Sequence, residues 1–66
     1  MTILIESYKD EHTTTAYYGY TLDNITEIIL STTKESLRFF SNFSFVASVS
    51  IKLLKRLEIC EDGKQI

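Results

Sequence analysis

Asp10, Glu11 and His12 stand consecutively and form the chain's only cluster of metal-capable side chains. Their chemistry would be ion ligation or proton transfer. Three adjacent residues cannot easily converge on one ion, however, and no second histidine or spaced carboxylate pair completes a site. The cluster therefore reads as a solvated turn. Cys60 is the single cysteine and His12 the single histidine. As nucleophile and base they would have to meet across the fold, and nothing in their placement favours that. Paired carboxylates for acid–base work would have to come from Glu6, Asp10, Glu11 or Glu27, and those on the exposed hairpin would lack the burial that tunes a carboxylate for catalysis. Gly19 and Gly63 are the only glycines, so no phosphate-cradling loop is present. The expectation is a non-enzymatic chain with no catalytic, metal or cofactor-binding residues.

Binding is the better-supported chemistry. Tyr8, Tyr17, Tyr18 and Tyr20 gather in the first third of the chain, where the acidic residues also concentrate. Tyrosine buries a large area at small entropic cost and keeps a hydrogen-bonding tip, so interfaces favour it. Glu6, Tyr8, Asp10, Glu11 and Tyr17 are the expected partner-binding residues. A second cluster, Lys52, Lys55 and Arg56 with Lys64 nearby, would suit phosphate or an acidic protein, although its plainer reading is a solvated face. Residues 1–27 carry five acidic groups against Lys9 alone, whereas residues 28–66 carry six basic and four acidic groups. A chain of net charge −2 lacks the basic excess of a general nucleic-acid binder.

These side chains must be held by a small number of elements. Residues 2–9 and 13–22, rich in β-branched and aromatic types, predict two strands joined through Asp10-Glu11-His12. Pairing Ile3 with Tyr18 puts Ile3, Ile5, Ala16 and Tyr18 on a core face. Leu4, Glu6, Tyr8, Thr13, Thr15 and Tyr17 then share the other. From Leu22 to Phe40, the positions Leu22, Ile25, Ile28, Ile29, Thr32, Ser36, Phe39 and Phe40 fall on one arc at helical spacing. Asn24 and Glu27 have the spacing of a capping box, so an amphipathic helix is predicted there, ending at Ser41-Asn42. Residues 46–58 fit either period. Strands are preferred for the β-branched Val46, Val49 and Ile51, with a bulge or bend near 53–55 and a hairpin turn at Asp62-Gly63. The predicted fold class is α+β, ββαβ(β): one antiparallel sheet with one helix on a single face.

Sixty-six residues make a single domain, 1–66, that buries only about 60% of its unfolded surface and is expected to be thinly stable. An efficient core, for which 44% apolar content provides, or self-association must supply the rest. Leu30, Leu37 and Leu54 are the apolar residues left over for a homodimer contact. The lone cysteine fits a reducing cytoplasm. No leader is evident, and no apolar run exceeds three residues, so no membrane span is expected. In its short length, acidic hairpin and tyrosine-rich strand from Thr13 to Tyr20, the chain resembles, at the level of a class, the small phage or mobile-element inhibitors of the anti-CRISPR and anti-restriction type. That resemblance implies docking on the basic groove of a nucleic-acid-handling protein. The alternatives are a nucleic-acid-binding regulator using Lys52, Lys55 and Arg56, and a self-associating structural protein.

Overall fold

Strict alternation along Thr2–Tyr8 makes β1, whose Ile3, Ile5 and Ser7 point inward while Leu4 faces water. The computed structural model describes residues 1–12 and 15–61. Over these, β1 is followed by β2 (Tyr17–Leu22), β3 (Glu27–Leu30), β4 (Ser36–Ser41), β5 (Ser44–Ser50), a 3-10 turn (Ile51–Leu53) and β6 (Leu54–Cys60). The strands form two three-stranded antiparallel sheets, β2-β1-β6 and β3-β4-β5. One hydrophobic cluster joins them: Ile3 and Ile5 from the first sheet, Phe39 and Val49 from the second, and Ile25 from the segment between β2 and β3. Leu54 and Leu57 of β6 pack at its margin.

The expected α+β class is therefore corrected to all-β, because no α-helix forms among the described residues. The segment expected to be helical holds β3, a tight turn and β4. Its apolar positions satisfy a period of 3.6, but Ile25, Thr26, Ile28, Ile29, Thr32 and Thr33 are β-branched and lose rotamer freedom in a helix. Ser31 supplies the break. Its hydroxyl accepts hydrogen bonds from the Glu35 and Ser36 amides (3.2 Å each), and its carbonyl accepts from Lys34 N at 2.9 Å. A short hydroxyl that captures neighbouring amides competes with the helical ladder. Lys34, at φ 63°, then reverses the chain into β4. Asn24, read as a helix cap, instead takes a left-handed turn conformation at φ 59°, and Glu27 pairs with Phe40.

Period two separates neighbours that period 3.6 had grouped. Phe39 is fully buried while Phe40 lies on the outer face; Ile28 turns inward while Ile29 is 43% exposed. Ile29→Ala, a costly core deletion on the helical reading, is accordingly expected to change stability by only about 0.5 kcal/mol, as surface substitutions do. In urea titration at high dilution, a midpoint near that of the parent chain is the expected result, and a loss of several kcal/mol would put Ile29 back in the core.

The first hairpin also differs in register. Ile3 pairs with Leu22 and Tyr8 with Tyr17, so the connection runs from residue 9 to 16 and the second strand begins later than expected. The slip is even, so Glu6, Tyr8 and Tyr17 still share one face; Tyr18, expected in the core, is instead 50% exposed, and Thr15 and Ala16 precede β2. The preferred strand reading of the C-terminal part agrees with β5 and β6. The irregularity expected near 53–55 is the 3-10 turn together with a register shift at Lys55, between the pairs Glu6–Arg56 and Ser7–Leu54. The Asp62-Gly63 turn lies outside the described residues. Among those described, no helix is long and apolar enough to cross a membrane.

Candidate functional site

β1 is the centre of the first sheet, and its outward side chains meet those of β2 and β6. Glu6 stands between Gly19 and Arg56, Leu4 between Thr21 and Glu58, and Tyr8 beside Tyr17. Gly19 has no side chain to fill its place, which leaves a groove of about 320 Å³ bordered by Leu4, Glu6, Thr21, Arg56 and Glu58. The backbone does not demand glycine there. A Cβ would lie 3.7 Å from the Ile5 carbonyl oxygen and 3.8 Å from Glu6 Cγ, ordinary contact distances.

An aromatic platform adjoins the groove. The Tyr8 and Tyr17 rings meet edge to face, with centroids 6.4 Å apart. The bulge in β6 re-aims Lys55, whose Nζ sits 3.3 Å from the Tyr17 ring centroid and 3.8 Å from Glu6 Oε2. Arg56 donates to Glu6 at 3.4 Å and also to Glu58. Its hydrogen bond to Glu58 is the main cause holding the guanidinium above its ordinary range, with Glu6 adding less. Tyr20 stacks on Tyr18 at 5.7 Å, and partial burial, more than its neighbour, raises its phenol above the ordinary value of 10.0.

Of the expected contact residues, Glu6, Tyr8 and Tyr17 share this face. Asp10 and Glu11 lie beyond it in the exposed β1–β2 loop, where Asp10 Oδ1 accepts from His12 N at 2.8 Å and Glu11 approaches His12 Nε2 at 3.9 Å. The sheet face is not acidic. Two members of the basic cluster, Lys55 and Arg56, land on it and offset Glu6 and Glu58, while Lys64 lies outside the described residues. Pairing across fifty residues of chain carries no local signal, so this neutralisation was not legible from spacing. Lys52 is exposed in the 3-10 turn. Gly19 carries no site signal in the sequence, since a strand glycine announces open space only once its neighbours are known.

Cys60 and His12 sit at opposite ends of β1, Cys60 pairing with Thr2 and His12 following Tyr8 in the loop. Cys60 is an exposed thiol on an edge strand. Among the described residues no three His, Cys, Asp or Glu side chains come together as a metal site would need, and no buried side-chain nitrogen or oxygen lacks a hydrogen-bond partner.

The second sheet has an outer face of different character. Arg38 lies over both Phe40 (5.7 Å) and Phe45 (5.1 Å), and those rings meet edge to face at 5.8 Å. Phe43 projects from the β4–β5 turn, 92% exposed. Comparison of the chain with protein-family models, with curated proteins and with solved structures gives no match, so the geometry of these two faces is what bears on function.

Proposed function

We propose that this chain is a non-enzymatic protein-binding module that docks through the outer face of its first sheet, in a reducing cytoplasm where the Cys60 thiol stays free. One observation carries the reading: Tyr8 and Tyr17, the latter 48% exposed, are braced by each other and by Lys55 beside an open groove on a sheet. Aromatic anchors fixed before binding lose little entropy on complex formation. The groove over Gly19 suits one apolar side chain of the partner. Asp10 and Glu11, projecting at the end of the same hairpin, suit a basic patch beside it. A basic nucleic-acid groove offers both, which makes inhibition by occupancy the preferred role. Because the sheet itself is charge-balanced, the loop supplies the electrostatic steering. The nucleic-acid regulator reading is weaker, since Lys55 and Arg56 are already engaged with carboxylates.

The test is capture of a protein partner from nuclease-treated host lysate, followed by titration of that partner against the Tyr8→Ala/Tyr17→Ala double variant. Affinity is expected to fall at least about a hundred-fold, as two lost anchors of roughly 1.4 kcal/mol or more each imply. Unchanged affinity in a folded double variant would remove this face from the interface.

A further inference from the structure

The outer face of the second sheet ends in a strained turn that carries an exposed aromatic ring. The β4–β5 connection is a two-residue turn between the paired Ser41 and Ser44, and both central residues, Asn42 and Phe43, have positive φ (48° and 69°). Asparagine tolerates that conformation, and glycine is the usual second residue. A phenylalanine there is strained, and it has almost no contact with its own chain to compensate. The turn is nevertheless pinned. Thr26 N donates to the Phe40 carbonyl at 2.8 Å, and Asn42 N donates to Thr26 Oγ1 at 2.9 Å. Phe43 is thus a fixed apolar knob at the end of a face that also carries Phe45 and Ile29, both well exposed.

Charge decides what covers this face. Arg38 and Glu27 point outward from neighbouring strands, one ladder step apart, since Ile29 faces Arg38 and Glu27 faces Phe40. Neither belongs to an ion pair among the described residues. A two-fold axis brings each residue of one copy against a different residue of the other and the reverse, so one cation and one anion on an apolar face satisfy each other twice. A single-stranded nucleic acid suits the face less well. Arg38 already covers Phe40 and Phe45, the rings on which bases would stack, and Glu27 repels phosphate. A second copy would also add to a thin core, because among the described residues four apolar side chains, Ile3, Ile5, Ile25 and Phe39, are fully buried and Val49 nearly so. A standard interface removes roughly 800 Å² per partner, about a sixth of this chain's 4828 Å² surface.

We infer that the chain forms an isologous homodimer through the outer face of β3-β4-β5, with Phe43 as anchor and Glu27 and Arg38 paired across the two-fold. The first sheet's outer face, on the other side of the core, stays free in both copies, so the dimer presents two partner-binding faces and gains avidity toward repeated sites.

Sedimentation velocity of the whole chain over a wide concentration range tests this. The mass is expected to rise toward twice the 7.6 kDa of one chain. Phe43→Gly is expected to weaken the dimer at least about ten-fold while raising the melting temperature of the monomer, because glycine relieves the turn. Arg38→Glu alone weakens the dimer, and adding Glu27→Arg restores it. Tyr8→Ala/Tyr17→Ala dimerises normally, so failure here and failure of the partner-binding face are told apart. A monomer at every concentration would overturn the inference, as would a dimer indifferent to Phe43→Gly, which would place association on another surface such as a strand edge.

Discussion

Phe39→Ala is expected to unfold the chain or leave it barely folded. The Phe39 ring is fully buried and stands in the cluster shared by both sheets. Removing such a ring costs about 3–5 kcal/mol through lost burial and the cavity left behind. At the usual 0.05–0.15 kcal/mol per residue, a domain of this length holds only about 3–10 kcal/mol in total. Urea titration followed by circular dichroism should therefore show a midpoint near zero denaturant or no native baseline. Phe40→Ala, one residue on, is expected to keep a cooperative transition, since Phe40 lies on the outer face against Phe45. The pair discriminates sharply between architectures. A helix would have put both rings on the same buried arc and made the two variants similar.

Ile25→Ala is the second large expected effect. Ile25 belongs to no strand, yet it is 1% exposed and its side chain lies in the core where the chain passes from one sheet to the other. Its amide donates to the Met1 carbonyl at 2.9 Å and its carbonyl accepts from Met1 N at 2.9 Å. The residue thereby ties the start of β1 to the entry of β3. Truncation is expected to cost about 2–5 kcal/mol, the range for buried isoleucine. Amide hydrogen exchange should show protection lost in both sheets together, because the cluster is shared between them. Loss confined to β3-β4-β5 would mean that the first sheet holds itself together without the second, and that Ile25 is a local plug.

Much of the first sheet could be read directly from residue types. β1 follows from Ile-Leu-Ile and its flanking polar residues, and the shared face of Glu6, Tyr8 and Tyr17 survived a wrong register because side chains alternate with period two. The helix between 22 and 40 failed for a different reason. Adjacent apolar pairs, Ile28-Ile29 and Phe39-Phe40, fit an amphipathic helix, and they fit equally a pair of strands with one apolar residue turned out. Periodicity cannot separate the two when the outward residue is itself hydrophobic. The deciding features were local and small: the Ser31 hydroxyl, the reversal at Lys34 and the turn at Asn42-Phe43. The β-branched content that favours a strand at 46–51 is matched at 25–33, where it prevails over the helical spacing of the apolar residues.

Composition and order of residues by themselves determined a short, mildly acidic chain, a first hairpin whose Glu6, Tyr8 and Tyr17 face away from the core, and a mainly strand character for residues 46–58. Local propensity and two-residue alternation act over a few residues, so they are written in the chain. Only the tertiary structure decided that β6 lies beside β1, turning an acidic face and a basic cluster into one balanced surface, and that Gly19 opens a groove there. It also decided that Arg38, Phe40 and Phe45 assemble on the opposite side. Those juxtapositions depend on long-range pairing, whose stabilisation comes from burying a common core rather than from any contact near in sequence.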